Sequence, residues 1–207
     1  MTEDREYIKS FFREHARIYD IASMPLAGVR KKAASMVKER DGAKVLDVAT
    51  GTGKQAFAFA RKGYQVTGID LSEEMLEIAR RKNKYRNLKL ESGDATNLPY
   101  DSNHFDITCI SYALHDMPAS FRGKVLAEMV RVTRSGGTIM VIDYVLPRWL
   151  IIRKIAYAFI NSFESKYYPD FIKNDLPALM EKAGIRIEEE RGVLWGTGRI
   201  IKGTKAG

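Results

Sequence analysis

The chain has 207 residues, 45% of them apolar and 29% charged, with a formal net charge of +8. That length suits one α/β domain with a cap, and that composition excludes disordered and fibrous classes. The single cysteine excludes an internal disulfide framework, so a reducing, cytoplasmic setting is the expectation.

Residues 3 to 19 are expected to form a helix with apolar Tyr7, Ile8, Phe11, Phe12, Ile18 and Tyr19, and the charged start MTEDREYIKSFFREH shows no signal-peptide core. Pro25 marks a start or break, and a second helix should run to about Glu39. After a DG turn at 41 and 42, strands and helices alternate. KVLDVA, YQVTGID, LKLESG, FDITCIS and GGTIMVIDY read as strands. GKQAFAFARKG, SEEMLEIARRKNK and the segment from Pro118 to about Val132 read as helices, with Ser72 as an N-cap. DLPALMEKAG reads as a helix ending at Gly184, and IRIEEE and GVLWGTGRIIKG read as a closing antiparallel pair.

Such alternation predicts an α/β fold: a Rossmann-like, doubly wound, mostly parallel sheet with an antiparallel C-terminal strand and helices on both faces. One domain is expected over 1–207, divided into an N-terminal helical lid (1–40), a cofactor-binding core (41–145), and cap helices with closing strands (146–207). Ligands of such sheets sit at the C-terminal ends of the strands, near the point where strand order reverses.

The loop GTGKQA matches the dinucleotide pattern, with Asp70 ending the next strand. Its glycines, Gly51 and Gly53, let backbone approach a ligand, and free N–H groups follow at the start of the helix. Asp47 tilts the balance away from a dinucleotide. A carboxylate inside the first strand would repel a pyrophosphate but would help hold a cofactor carrying an ammonium and a sulfonium. Asp47 could equally brace the loop's own N–H groups, or do both. Asp94, in SGDATNLP after the third strand, can accept from an exocyclic amine of adenine, and the Ala95 N–H can donate to a ring nitrogen. Asp47, Asp70 and Asp94 thus end or follow successive strands.

VLDVATGTG, GIDLSEEMLEIAR, GDATNLPY, FDITCISYALHDM and EMVRVTRSGGTIMVIDY resemble the ordered motifs of class I S-adenosylmethionine-dependent methyltransferases, over roughly residues 43 to 145. The resemblance implies S-adenosylmethionine as cofactor and S-adenosylhomocysteine as product. It places Asp47, Ala49, Gly51, Thr52 and Gly53 at the methionine portion, Asp70 and Leu71 at the ribose, and Asp94 and Ala95 at the adenine. Ala49 stands where the family usually carries its first loop glycine. ISYALHD, ARIYD and LMEKAG look most like the ubiquinone/menaquinone C-methyltransferases and their small-molecule relatives, in which the residue matching Ser111 lies at the cofactor.

The implied chemistry is in-line methyl transfer to a small, apolar or quinol-like acceptor. It needs alignment and water exclusion more than catalytic side chains. His115, after the fourth strand with Asp116 beside it, is the best candidate for a base or an acceptor-orienting group. It could also be a loop residue that satisfies the backbone. His104 precedes that strand and so lies at the wrong edge. His15 and Tyr19 share a helix face and could reach over the site, while Tyr19 and Tyr112 could face a sulfonium by cation–π attraction. No metal ligand set is expected. The segment 147–168 could line an acceptor pocket, rest on an anionic membrane, or simply pack as a cap. Rival readings are an RNA or protein methyltransferase, argued against by SYAL after the fourth strand, an NAD-dependent oxidoreductase, and a binding module that has lost transfer. Nucleic acid is not an expected partner, and the oligomeric state is open.

Overall fold

A computed structural model describes residues 3–8, 10–11, 13, 26–147, 149–161 and 164–206. An N-terminal helical segment (3–8, with 10, 11 and 13) precedes α1 (Ala27–Met36). The core then runs β1 (Lys44–Val48), α2 (Lys54–Ala60), β2 (Gln65–Asp70), α3 (Glu73–Lys82), β3 (Leu88–Ser92) and β4 (Phe105–Ser111). It continues through a 3₁₀ turn (Leu114–Asp116), α4 (Ala119–Val132) and β5 (Thr133–Tyr144). α5 (Leu150–Asn161), α6 (Tyr168–Phe171) and α7 (Leu176–Lys182) form the cap, and β6 (Ile185–Val193) and β7 (Gly198–Lys205) close the sheet.

The seven strands are ordered β3-β2-β1-β4-β5-β7-β6. β1 to β5 are parallel, and β7 is antiparallel to both β5 and β6. This is the doubly wound sheet the alternation predicted, and its order reverses between β1 and β4. Both faces are covered, so the central strands are apolar almost throughout. Successive residues feed opposite cores. Val45, Ile107, Cys109, Met140 and Ile142 pack with Ala33, Phe59 and Tyr64 on one face. Leu46, Val48, Ile110 and Val141 pack with Leu126, Met129 and Met180 on the other. Burying each large aliphatic side chain contributes about 1.5–3 kcal/mol, and this makes the strand ends a rigid platform.

Three local expectations shift. α1 stops at Met36 rather than near Glu39, because Val37 is extended (φ −89°, ψ 130°) and buries its side chain in the first core. β5 begins at Thr133, and its pairing with β4 slips between Phe105 and Ile107 where the RSGG stretch bulges. The stretch GVLWGTGRIIKG is two elements: β6 ends at Val193, a turn over Leu194–Gly196 intervenes, and β7 starts at Gly198. Ser72 does cap α3, its hydroxyl accepting from the Met75 N–H at 3.3 Å. No described helix is long and apolar enough to cross a membrane.

Candidate active site

The three acids converge on one rim because β3, β2 and β1 run in parallel register, with Asp47 beside Gly68 and Asp70 beside Ser92, the last residue of β3. Asp47 is buried, and its Oδ2 accepts from the Thr50 hydroxyl at 2.6 Å. Gly68 makes this fold-back feasible, since a Cβ there would meet Thr50 Oγ1 at 2.9 Å. Burial pushes the Asp47 carboxyl up to about 7, against the lowering influence of Thr50, the Ala56 N–H and the Arg30 charge. Among the described residues, its other oxygen, Oδ1, has no hydrogen-bond partner, and neither does the buried Oγ of Ser111. Both residues line a small cavity that also takes in Arg30, Thr52 and Lys54. Buried polar atoms without partners are uncommon in native proteins, so this cavity presents an acceptor and a hydroxyl ready for a polar guest, with two cations alongside.

The loop itself is bent by left-handed backbone. Ala49, Gly51 and Gly53 have φ of 51°, 53° and 81°. A Cβ at Gly53 would come within 2.8 Å of the Phe57 ring, which explains a glycine there. Asp70 Oδ2 accepts from the Gly51 N–H at 2.7 Å and its Oδ1 from the Ser72 N–H at 2.9 Å. Asp70 thereby fixes the loop to the end of β2. Burial raises its pKa, opposed by those N–H groups.

Asp94 follows β3. Its Oδ1 accepts from the Thr96 N–H and hydroxyl at 2.8 and 2.7 Å, and its Oδ2 pairs with Arg5 at 2.6 Å. Arg5 comes from the N-terminal segment and also donates to Thr96 Oγ1 at 3.0 Å. Asp70, Leu71, Asp94 and Ala95 line one larger cleft with about 800 Å³ of empty space, partly open to solvent. Its other walls are mostly apolar, including Ile8, Ile69, Met117, Phe121 and Val125. Ala49 and Gly51 border both cavities, so the two are neighbours across the loop. Among the described residues, none of 147–168 lines the larger cleft.

Tyr112 lies buried on the cleft wall with φ 52°, its N–H donating to Ile142 O at 2.8 Å. The left-handed backbone turns the chain sharply off β4, at a cost of about 1–2 kcal/mol for a residue with a Cβ. Tyr19 and His15 fall outside the described residues.

His115 is 1% exposed, and its two ring nitrogens are engaged inside the protein. Nδ1 stands 2.6 Å from Asp143 Oδ1, and Nε2 stands 3.1 Å from Glu164 Oε2 and 3.2 Å from Asp116 Oδ2. Burial alone would depress its pKa, but Asp116, Asp143 and Glu164 outweigh it and raise the pKa well above the ordinary value. His115 is absent from the cleft lining while Asp116 is part of it, so the ring as placed offers no nitrogen to an acceptor.

Residue patterns did not single out Arg5, Arg30, Lys54, Asp143 or Glu164. Arg30 opens a short basic run of the kind that usually stays solvated, and Lys54 lies in the GTGKQA loop, where the glycines drew the reading. Asp143 sat in an apolar strand and Glu164 in a cap of open role.

Comparison with known proteins shows the family and the fold. Residues 45–137 match a family model described as a methyltransferase domain. The demethylmenaquinone methyltransferase of Chlorobaculum tepidum is 32% identical over 188 residues, covering 86% of this chain and 71% of that protein. The ubiquinone/menaquinone biosynthesis C-methyltransferase of Geobacter sulfurreducens is 28% identical, covering 99% and 91%. Among solved structures, a chain from the complex of the Haloferax volcanii Trm112 methyltransferase activator with a methyltransferase superposes with a TM-score of 0.76 at 18% identity, covering 97% of this chain and 98% of that one. A SAM-dependent methyltransferase of Thermotoga maritima gives 0.70 at 21% identity, covering 95% and 99%. At those identities the structures speak for the fold, and the relatives in sequence speak for the family. The chain belongs to the class I S-adenosylmethionine-dependent methyltransferases, of the ubiquinone/menaquinone C-methyltransferase-like kind.

Proposed function

We propose that this methyltransferase transfers its methyl group to a small apolar acceptor of the phenol or quinol class. The observation that carries the reading is the pairing of two adjoining cavities: a polar one with orphaned Asp47 Oδ1 and Ser111 Oγ, and a larger cleft whose far wall is apolar. The names of the relatives, which speak of menaquinone and ubiquinone, support it.

The residues present fit S-adenosylmethionine. Asp47 and Ser111 would take its ammonium, and Arg30 and Lys54 its carboxylate. Asp70 and Leu71 would hold the ribose, Asp94 and Ala95 the adenine, with Ala49, Gly51, Thr52 and Gly53 giving close backbone approach. When bound, the cofactor supplies an electrophilic methyl on a cationic sulfonium. The chain's own contribution is placement. The glycine loop and the three acids fix one reactant, and the apolar wall holds the other and excludes water. Tyr112, on the cleft wall, would present its ring to positive charge. The N-terminal segment bearing Arg5 and Ile8 acts as the lid. A buried carboxylate at the loop disfavours a diphosphate, which sets the oxidoreductase reading aside.

The test is incubation of the protein with methyl-labelled cofactor and separate reduced demethylquinones, simple phenols, amines and bulk RNA. Label in a quinol or phenol is the expected result. Label in RNA, with the small acceptors unlabelled, would sink the acceptor assignment.

A further inference from the structure

We propose that His115, Asp116 and Glu164 form a binding site for one divalent first-row transition ion, of the Mn²⁺ or Zn²⁺ class, with Asp143 as the outer carboxylate that orients the imidazole. Sequence patterns gave no expectation of a metal here, because the ligands come from the turn after β4 and from the cap, and the supporting carboxylate from β5.

The spacing is that of ligands around one ion. His115 Nε2 is 3.2 Å from Asp116 Oδ2 and 3.1 Å from Glu164 Oε2, and the three donor atoms all lie within 4.8 Å of one another. Donors held about 2.0–2.2 Å from a shared ion stand roughly 3 Å apart. One imidazole with two carboxylates suits borderline first-row ions better than Mg²⁺ or Ca²⁺, which take oxygen ligands.

The support behind the histidine is also that of a ligating ring. Asp143 Oδ1 lies 2.6 Å from Nδ1, accepts from the Tyr144 N–H at 2.8 Å, and its Oδ2 accepts from the Leu114 N–H at 3.1 Å. A fixed carboxylate on Nδ1 holds the ring with Nε2 toward Asp116 and Glu164, where an ion would take the place of the Nε2 proton.

Independent of the cluster's composition, and among the described residues, two buried polar atoms, one in the cluster and one on a ring beside it, lack aligned hydrogen bonds. Asp116 is 2% exposed, yet among the described residues its Oδ2 has the 3.2 Å approach of Nε2 and no aligned hydrogen bond. The hydroxyl of Tyr168, a fully buried residue whose ring meets His115 edge-on at 6.3 Å, has none either.

Charge points the same way. Three carboxylates face one imidazole, and a single N–H on Nε2 cannot satisfy both of its oxygen neighbours. Arg122, packed behind the turn, directs its donors to Leu114 O, Tyr167 O and Asp170. A doubly charged ion would satisfy Asp116 and Glu164 together and would tie the cap to the strand rim at the wall of the cleft.

The experiment uses full-length protein stripped with EDTA and titrated with MnCl₂, ZnCl₂ or MgCl₂ alone. One Mn²⁺ per chain is expected by electron paramagnetic resonance, with pulsed spectra showing a single coordinated imidazole nitrogen. Saturation at about a hundred times Kd should raise Tm by roughly 5–10 °C, and Mg²⁺ should bind far more weakly. Glu164→Gln and Asp116→Asn should each weaken Mn²⁺ binding at least tenfold, and Asp143→Asn by about 10–100-fold. Glu189→Gln on β6 should leave it unchanged. Absence of an imidazole coupling in the parent, or equal Mn²⁺ affinity in parent, Glu164→Gln and Asp116→Asn, overturns the site. Cofactor affinity measured by calorimetry in EDTA reports separately on the function proposed above.

Discussion

Two sets of three acids each contribute to the wall of the same cleft, Asp70 and Asp94 from one and Asp116 from the other. Asp47, Asp70 and Asp94 are held mainly by donors at the strand ends themselves: a hydroxyl three residues on, the loop N–H groups, and Thr96, with Arg5 added at Asp94. Asp116, Asp143 and Glu164 gather around His115 from three separate elements. The first set is therefore built into the strand ends and exists once the sheet forms. The second exists only after the cap has docked. A rim along the strand ends and a cap-fastening knot are different devices made from the same kinds of side chain.

Breaking the second set should have the largest effect on the fold. Asp143→Ala leaves His115 and the Leu114 and Tyr144 N–H groups without their partner. It should lower stability by about 3–5 kcal/mol, as truncating one member of a buried ionic group does. The check is denaturant or thermal unfolding, and a loss below about 1 kcal/mol would show that the knot fastens nothing.

In the first set, Asp70→Ala removes both the loop brace and the proposed ribose acceptor. It should weaken S-adenosylmethionine about a hundredfold or more, a difference of roughly 2.7 kcal/mol, while costing less stability than Asp143→Ala. Calorimetry beside a melting curve reads both. An unchanged Kd would remove Asp70 from the site.

Asp47 sharpens the contrast through pH. Its carboxyl is raised to about 7 in the ligand-free protein. A raised acid adds no cost below its unfolded pKa near 4. Its ionisation then costs stability progressively as pH rises from 4 to 7. A cationic ligand favours the ionised form, so cofactor affinity should rise up to tenfold per pH unit below 7 and level off above it. Asp47→Asn should abolish that slope, bind about tenfold more weakly at pH 8, and melt at a higher temperature than the parent there. A slope that persists in the variant would assign the titration elsewhere.

The smallest effect is expected at the lid. Arg5 and Asp94 are 31% and 26% exposed, so their ion pair is worth at most about 1 kcal/mol after screening. Arg5→Ala should change cofactor affinity only about two- to fivefold, toward tighter binding, because it frees Asp94 Oδ2. Weaker binding would mean that Arg5 contacts the ligand instead of competing with it.

The same division governs what the residues alone could reveal. Each member of the first set directly ends or follows an apolar strand, and a parallel sheet turns consecutive strand ends into one rim; local patterns therefore foretold it, along with the sheet and the Ser72 cap. His115 and Asp116 were visible as chemistry at the right edge. Their partners were not, because Asp143 alternates like any strand residue and Glu164 lies in a cap whose docking no local pattern encodes. Arg30 stayed hidden for a similar reason: a cation in a helical basic run is normally solvated, and only the packing of α1 on α2 buries it. Val37 shows the limit in miniature, since periodicity let the helix run on where core packing pulled the chain straight.

Cys109 is fully buried in β4, the strand flanked by β1 and β5, and its thiol pKa is raised by burial and by Asp47. It is the chain's only sulfhydryl. A disulfide-exchange reagent can reach it only when the middle of the sheet parts, so labelling kinetics would clock rare openings of the whole molecule. The polypeptide thus carries a native gauge of its own integrity, one that could track how cofactor or metal slows those openings without any added probe.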